Sequence, residues 1–381
     1  MSRGATNVGG VIGQGLAMVL LSMAAVSIPA CGGDDGGGDA PGGGGGGGAT
    51  SQFAYVANHN TNNVSLFSVN SAGALTVNGP PVAAGIQPHS INVDPAGRFV
   101  YVSNHESNFL SAYTINRTTG ALSPVIGVPT PGQIVVGDNV HASAFDRTGR
   151  FLYVANGTGA SSMTAHTVNA NGTLTLINGP FPAGTHVHNF TVDPSNRFVY
   201  TASDVSNNVH VFSINSTTGG LSPVGGPVAG VGGPLAVVVT ADSRFAYVPN
   251  NGGLIQAFSI DGTSGALTPL PGPNATVATG SNAHSAVITG DILYVANINS
   301  NTITSYRING TTGVLTPLPT TTTGLQPHYM VVKDGFLYVA NYESNNIQRF
   351  NINTGTGELT APVTFNDPAA NGPIGIGITS F

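Results

Sequence analysis

An all-β, seven-bladed propeller of four-stranded antiparallel blades is the fold this sequence predicts, and three observations predict it. One short hydrophobic head returns seven times: FAYVAN at Phe53, FVYVSN at Phe99, FLYVAN at Phe151, FVYTAS at Phe198, FAYVPN at Phe245, ILYVAN at Ile292 and FLYVAN at Phe336. The heads are 46, 52, 47, 47, 47 and 44 residues apart, a period typical of repeat arrays. Each repeat also carries four strand-like runs separated by turn residues. Finally, the array begins with a head and ends with the last run of a unit, Pro373 to Phe381. That tail must complete the blade begun at Phe53, which closes the ring and leaves no wide free edge.

In chain order, residues 1–30 come first. Arg3 stands in a short polar lead, and Leu16 to Ile28 form an apolar run of 13 residues. That is too short to span a bilayer and suits the core of a signal peptide. The run ends Ile28-Pro29-Ala30-Cys31, and Cys31 is the only cysteine. These residues resemble a bacterial lipobox, which implies cleavage before Cys31 and acylation of its thiol; plain secretion with an idle thiol is the alternative. Gly32 rather than Asp follows, and by resemblance to Gram-negative lipoproteins that implies the outer membrane. Residues 31–50, with an unbroken glycine run from Gly42 to Gly48, read as a flexible tether reaching roughly 24 Å. Residues 51–381 form the propeller.

Within each repeat the head alternates and ends at a polar turn. A second strand follows with an aromatic, or His166, at a fixed place, as in NVSLFSVN and FLSAYTIN. The third strand starts at a leucine after a small turn residue: Leu75, Leu122, Leu174, Leu221, Leu267, Leu315 and Leu359. The fourth is small and apolar, as in HSINVD and HASAFD, and fits the crowded axis, so it belongs innermost. Tight turns such as Pro95-Ala96-Gly97-Arg98 lead to the next head. The arginines of these turns, Arg98, Arg150, Arg197 and Arg244, read as surface structure.

Charge narrows the function. Ten basic residues stand against sixteen acidic ones, and no basic stripe exists to neutralise phosphates, so nucleic acid is excluded as a partner. One cysteine allows no intrachain disulfide. A closed ring is self-sufficient, so a monomer is expected.

The first position of each inner strand reads His89, His141, His188, Leu235, His284, His328 and Ile374. The heads close with Asn58, Asn104, Asn156, Ser203, Asn250, Asn297 and Asn341. Antiparallel pairing brings both series to one mouth of the axial channel, with Glu106, Asp138, Asp204 and Glu343 in the nearby loops. Two roles fit. The mouth could bind a small, oxygen-rich ligand, with His89, His141, His284, His328, Asn104, Asn156, Asn297 and Asn341 as contacts and histidine as acid or base. Alternatively each histidine bonds the neighbouring blade and locks the ring. No cofactor and no metal is expected. Zinc ligands must lie about 2.0–2.3 Å from one ion, and equivalent positions on adjacent blades read as too far apart.

The heads resemble Tyr-Val-Thr-Asn propeller repeats, and residues 53–381 resemble the lactonase family of seven-bladed propellers, which includes bacterial 6-phosphogluconolactonases and fungal carboxymuconate-lactonising enzymes. The resemblance implies a catalytic histidine in the third of these inner strands, and His188 matches it as candidate base. It implies Gly-Pro-Arg-His in the next inner strand, where this chain has Gly233-Pro234-Leu235-Ala236. It implies Asn-Glu at the next head, where Asn250-Asn251 stands, and commonly an Asp-Arg pair where Asn207-Asn208 stands. The arginine that would hold an anionic substrate is therefore missing. Two functions stay open. One is a lipid-anchored envelope module that binds a small polar ligand or an envelope protein without catalysis. The other is hydrolysis of an extracytoplasmic lactone with His188 as base.

Overall fold

A computed structural model describes residues 52–157, 160–379 and 381. The signal peptide, the tether and Cys31 lie outside the described residues. Seven antiparallel sheets follow one another in the predicted order. Blade 1 holds Gln52–Asn58, Asn63–Val69 and Leu75–Val77, with Pro373–Ile378 at the axis. The remaining inner strands are Pro88–Val93, Val140–Phe145, Val187–Val192, Val238–Val239, Ala283–Thr289 and Pro327–Lys333. The tail pairs with the first head as expected, with Tyr55 opposite Gly377 and Val56 opposite Ile376. Thr379 completes the seam: its hydroxyl accepts the Phe53 N–H at 2.8 Å, and its own N–H donates to the Phe53 carbonyl at 2.9 Å.

Two details differ from the sequence expectation. In five blades the outermost strand is split, and a second short piece such as Val82–Ala83 pairs the same neighbour further along. The inner strand of blade 5 is only Val238–Val239. Its head carries Pro249, whose carbonyl accepts the Leu235 N–H at 3.0 Å. Backbone N–H and carbonyl of one strand residue face the same neighbour. Proline has no N–H to return, so the ladder is broken there.

The heads explain how blades lock together. In every blade the head tyrosine is buried and its hydroxyl donates to a turn-glycine carbonyl of the next blade. The pairs are Tyr55–Gly120, Tyr101–Gly172, Tyr153–Gly219, Tyr200–Gly265, Tyr247–Gly313, Tyr294–Gly357 and Tyr338–Gly73, at 2.7–3.1 Å. The last pair crosses the seam. Each glycine has φ between +70° and +83° and lies under the first residue of the donor head. A Cβ on Gly265 would meet the Phe198 ring at 2.5 Å. Only glycine fits both the left-handed backbone and the close approach. The hydrophobic core runs between blades: Ala54, Val56 and Ile376 of blade 1 pack with Tyr338 and Ile347 of blade 7.

This lock sets an order of sensitivity. Tyr200→Phe leaves the Gly265 carbonyl without its donor and is expected to cost about 1–2 kcal/mol. Gly265→Ala adds backbone strain to overlap with Phe198 and is expected to cost about 2–4 kcal/mol. Urea unfolding measures both; a smaller loss at Gly265 than at Tyr200 contradicts the packing described.

Candidate functional site

Three backbone features build the mouth, and each recurs around the ring. First, every inner strand except that of blade 5 slips register beside its head at one point: at His89, His141, His188, His284, the His328–Tyr329 pair and Ile374. These are β-bulges, which re-aim side chains. Second, the residue two places earlier has positive φ in all seven blades: Gln87, Asn139, His186, Gly233, Asn282, Gln326 and Gly372. Third, its carbonyl accepts the N–H of the residue just after the head. His59 donates to Gly372 at 2.8 Å, His105 to Gln87 at 2.9 Å and Asp204 to His186 at 3.3 Å, and the contact repeats around the ring.

The result is a histidine cluster larger than the sequence suggested. Ring centroids step from His89 to His141 at 4.3 Å, His141 to His188 at 5.2 Å, His188 to His284 at 4.6 Å and His284 to His328 at 4.5 Å. A second tier comes from the loops: His105 and His186 each lie 4.8 Å from His141, and His59 faces Tyr342 at 5.8 Å. Eight of the ten histidines thus gather at one mouth. Tyr329 is also there, 5.4 Å from His89, and its hydroxyl has no hydrogen-bond partner among the described residues.

Tautomers follow from the partners. His141 Nδ1 meets the His188 carbonyl at 2.8 Å, and His188 Nδ1 meets the Leu235 carbonyl at 2.8 Å. A carbonyl only accepts, so in both rings Nδ1 carries the proton and Nε2 keeps a lone pair. His186 Nδ1 meets Asp204 Oδ1 at 2.6 Å, which orients that ring the same way. The His141 and His188 bonds lock adjacent blades and leave nitrogen lone pairs free, whereas Nδ1 of His89, His284 and His328 has no hydrogen-bond partner among the described residues.

Burial, with neighbouring imidazoles adding to it, holds His89, His141 and His284 well below the ordinary histidine range. Burial also pushes His188 down to about 4 and His328 down to about 3. At neutral pH the inner tier is therefore uncharged. Burial raises Asp204, but the His186 hydrogen bond and charge outweigh it and leave this carboxyl below its usual range.

The charges divide between the two faces. Every arginine and lysine among the described residues is at the face where heads begin. Arg98, Arg150, Arg197 and Arg244 stack on the first head residue at 4.7–5.4 Å. Arg117 covers Phe381, and Arg349 covers Phe336. Arg307 pairs opposite Ile292, Lys333 opposite Phe336, and Arg147 occupies the turn before Phe151. The histidine face carries Glu106, Asp138, Asp204 and Glu343 and none of these cations.

Some sequence expectations need correction. Asn104, Asn156, Asn297 and Asn341 are at most 5% exposed and turn into their blades. Asn104 bonds the Phe109 carbonyl at 2.9 Å and the Gly85 N–H at 3.1 Å; Asn341 bonds Asn346 at 2.9 Å; Asn297 bonds Thr302 Oγ1 at 3.2 Å; Asn156 bonds the Val136 carbonyl at 3.3 Å. The Asn104 and Asn156 amides clamp the loop that leads to the inner strand, and those of Asn297 and Asn341 hold the start of the strand after the head, instead of lining the channel. The spacing argument against a metal also fails. One nitrogen from each of His89, His141 and His188 lies within 4.8 Å of the others, and the same holds for His105, His141 and His186. The bulges turn adjacent blades toward one point. Sequence reasoning missed His59, His105 and His186. Reading the residue after each head, as the inner strands were read, gives His59, His105, Gly157, Asp204, Asn251, Ile298 and Tyr342 and finds two of the three.

A polar axial mouth on a closed seven-bladed ring defines the class, and the comparisons give the family. The family described as "Lactonase, 7-bladed beta-propeller" matches residues 48–137, 130–239 and 232–371. The chain belongs to that family. Two 6-phosphogluconolactonases are similar over short stretches: that of Formosa agariphila is 39% identical over 75 residues, and that of Pectobacterium carotovorum 32% over 93. These stretches are 19% and 24% of this chain, and 21% and 27% of the relatives' own length. Among solved structures, a putative 6-phosphogluconolactonase of Bacteroides uniformis superposes with TM-score 0.73 at 19% identity, over 87% of this chain and 100% of that one. A periplasmic gluconolactonase of Pseudomonas aeruginosa gives 0.70 at 18%, over 87% and 99%. At that identity the structures share the fold.

The neutral, buried histidines predict acid lability. His328 and His166 are pushed down to about 3 and about 4, from 6.5 in an unfolded chain. The unfolded chain takes up those protons first, so stability is complete above pH 6.5 and falls as pH drops toward 4. Urea midpoints at pH 7.5 and 5 should differ, and His166→Gln with His328→Gln should reduce the difference. Equal midpoints at the two pH values contradict the burial described.

Proposed function

We propose that this chain hydrolyses an uncharged lactone at the histidine mouth. The observation that carries the reading is the His186–Asp204 contact of 2.6 Å at the rim of the neutral histidine cluster. Both side chains are about one-fifth exposed, so water reaches them. Nδ1–H donates to Asp204, and Nε2 takes a proton from water as its oxygen attacks the lactone carbonyl. The ring C–O bond then breaks, and the departing alkoxide takes that proton back, giving a hydroxy acid. His188 is buried, whereas His186 is oriented by Asp204 and reached by water, so His186 takes the role that the resemblance assigns to His188. His284 and His328 of the inner tier serve as hydroxyl contacts.

The substrate class follows from charge. Leu235 and Asn251 stand where the resemblance implies an arginine and a glutamate. The mouth's own charges are carboxylates, and a phosphorylated lactone finds no counter-charge there. The expected preference is thus gluconolactone over its 6-phosphate, unlike the activity in the names of the relatives above.

Acid release by the purified full-length chain, followed in a pH-stat above the spontaneous rate, tests this. Gluconolactone should turn over faster than its 6-phosphate, and His186→Gln should lower kcat by about 100-fold or more. No release above the spontaneous rate on either lactone overturns the hydrolase reading and leaves a binding module, which the two missing charged residues also fit.

We further propose export and anchoring by a lipid on Cys31 in the outer membrane, with the propeller held on its glycine tether as a monomer. The apolar run from Leu16 to Ile28 and the single cysteine support it. Cys31→Ser should move the protein from the membrane to the soluble fraction; unchanged sedimentation with membranes contradicts the anchor.

A further inference from the structure

We infer that His89, His141 and His188 form a three-imidazole site for a divalent late transition-metal ion, held at the axis below the His186–Asp204 pair. Three independent features converge on it. One nitrogen from each ring lies within 4.8 Å of the others, so a common point sits about 2.8 Å from each. A zinc–nitrogen bond is about 2.0–2.1 Å, and rings on bulged strands need to close by well under an ångström to reach it.

The second feature is orientation. His141 and His188 donate Nδ1–H to carbonyls of the next blade at 2.8 Å. This is the support that metal-binding histidines receive, fixing the tautomer and presenting Nε2. His89 Nδ1 is buried with no hydrogen-bond partner among the described residues, so this ring presents either nitrogen.

The third feature is the surrounding charge. The mouth holds carboxylates and, among the described residues, no arginine or lysine, which favours cations over anions. The donors themselves are all imidazole. That set selects zinc, copper, nickel or cobalt, and disfavours calcium and magnesium, which take oxygen ligands. The rings of His105 and Tyr329 lie 6.2 and 5.4 Å from that of His89, and the His186 ring lies 6.0 Å from that of His188.

Cobalt(II) titration of the full-length, tag-free, chelator-stripped chain tests the site by visible absorption, without reference to turnover. One saturable tetrahedral-type spectrum per chain is expected, displaced by zinc. His141→Asn should abolish it, and His89→Asn and His188→Asn should each weaken binding by at least about 100-fold, beyond the usual loss for a supporting residue. His284→Asn, in the same ring, should leave it, and circular dichroism checks that each variant is folded. No saturable spectrum in the wild-type chain overturns the proposal. So does a spectrum that survives His89→Asn and His188→Asn but is lost in His105→Asn and His186→Asn, because the ion then sits in the outer trio.

Discussion

The tyrosine–glycine lock between blades is the contact on which the rest of this molecule depends. It appears seven times, and its last copy, Tyr338 to Gly73, spans the seam where the two ends of the array meet. A propeller blade has little core of its own; its apolar faces are covered by its neighbours. The buried phenol therefore does two jobs at once. It satisfies a turn carbonyl that would otherwise be stranded, and it fixes the angle at which one sheet meets the next. The residue two places before it, aromatic in six blades and Ile292 in the other, lies on the same glycine, so angle and packing are set by one short motif.

With the angle fixed, the axis is crowded, and the inner strands are made of small or β-branched residues. Each then has to turn a larger side chain into the remaining space. The chain does this with one left-handed residue, one extra residue in the ladder and one hydrogen bond back to the residue after the head. Repeated around a ring, this local device gathers imidazoles from five blades. Electrostatics follows from placement. Arginines needed to cap the turns and stack on head aromatics are all at the far face among the described residues, so the histidine face has carboxylates without countering cations.

The fold was legible because the elements that set it repeat in residue type. The head, the aromatic of the second strand, the leucine that opens the third and the small inner strand could each be read by aligning the chain with itself. The tail's closure of the first blade followed from counting. The split outer strands were not legible, since short pieces such as Val82–Ala83 leave too little pattern. The shortened inner strand of blade 5 had a visible cause in Pro249, whose missing N–H faces that strand. The mouth was half legible. Five inner-strand histidines share one position and were found. His59, His105, Asp204 and Tyr342 also share a position, but differ in type, and the repeat does not advertise them. The left-handed position hides in the same way, being filled by Gln87, Asn139, His186 and Gly233 among others. The asparagines misled for the opposite reason: their regularity marks loop clamps inside the blades. The metal spacing was misjudged because nothing in the sequence announces a bulge.

The central claim is that the ring holds neutral imidazoles, and that His141 and His188 give Nδ1–H to the neighbouring blade and keep an Nε2 lone pair. Long-range nitrogen–proton correlation spectra of the chain labelled with ¹⁵N-histidine report the protonation state and tautomer of each ring directly. At pH 7 the account predicts that His141 and His188 are neutral with the proton on Nδ1. Doubly protonated rings, or protons on Nε2, would contradict it.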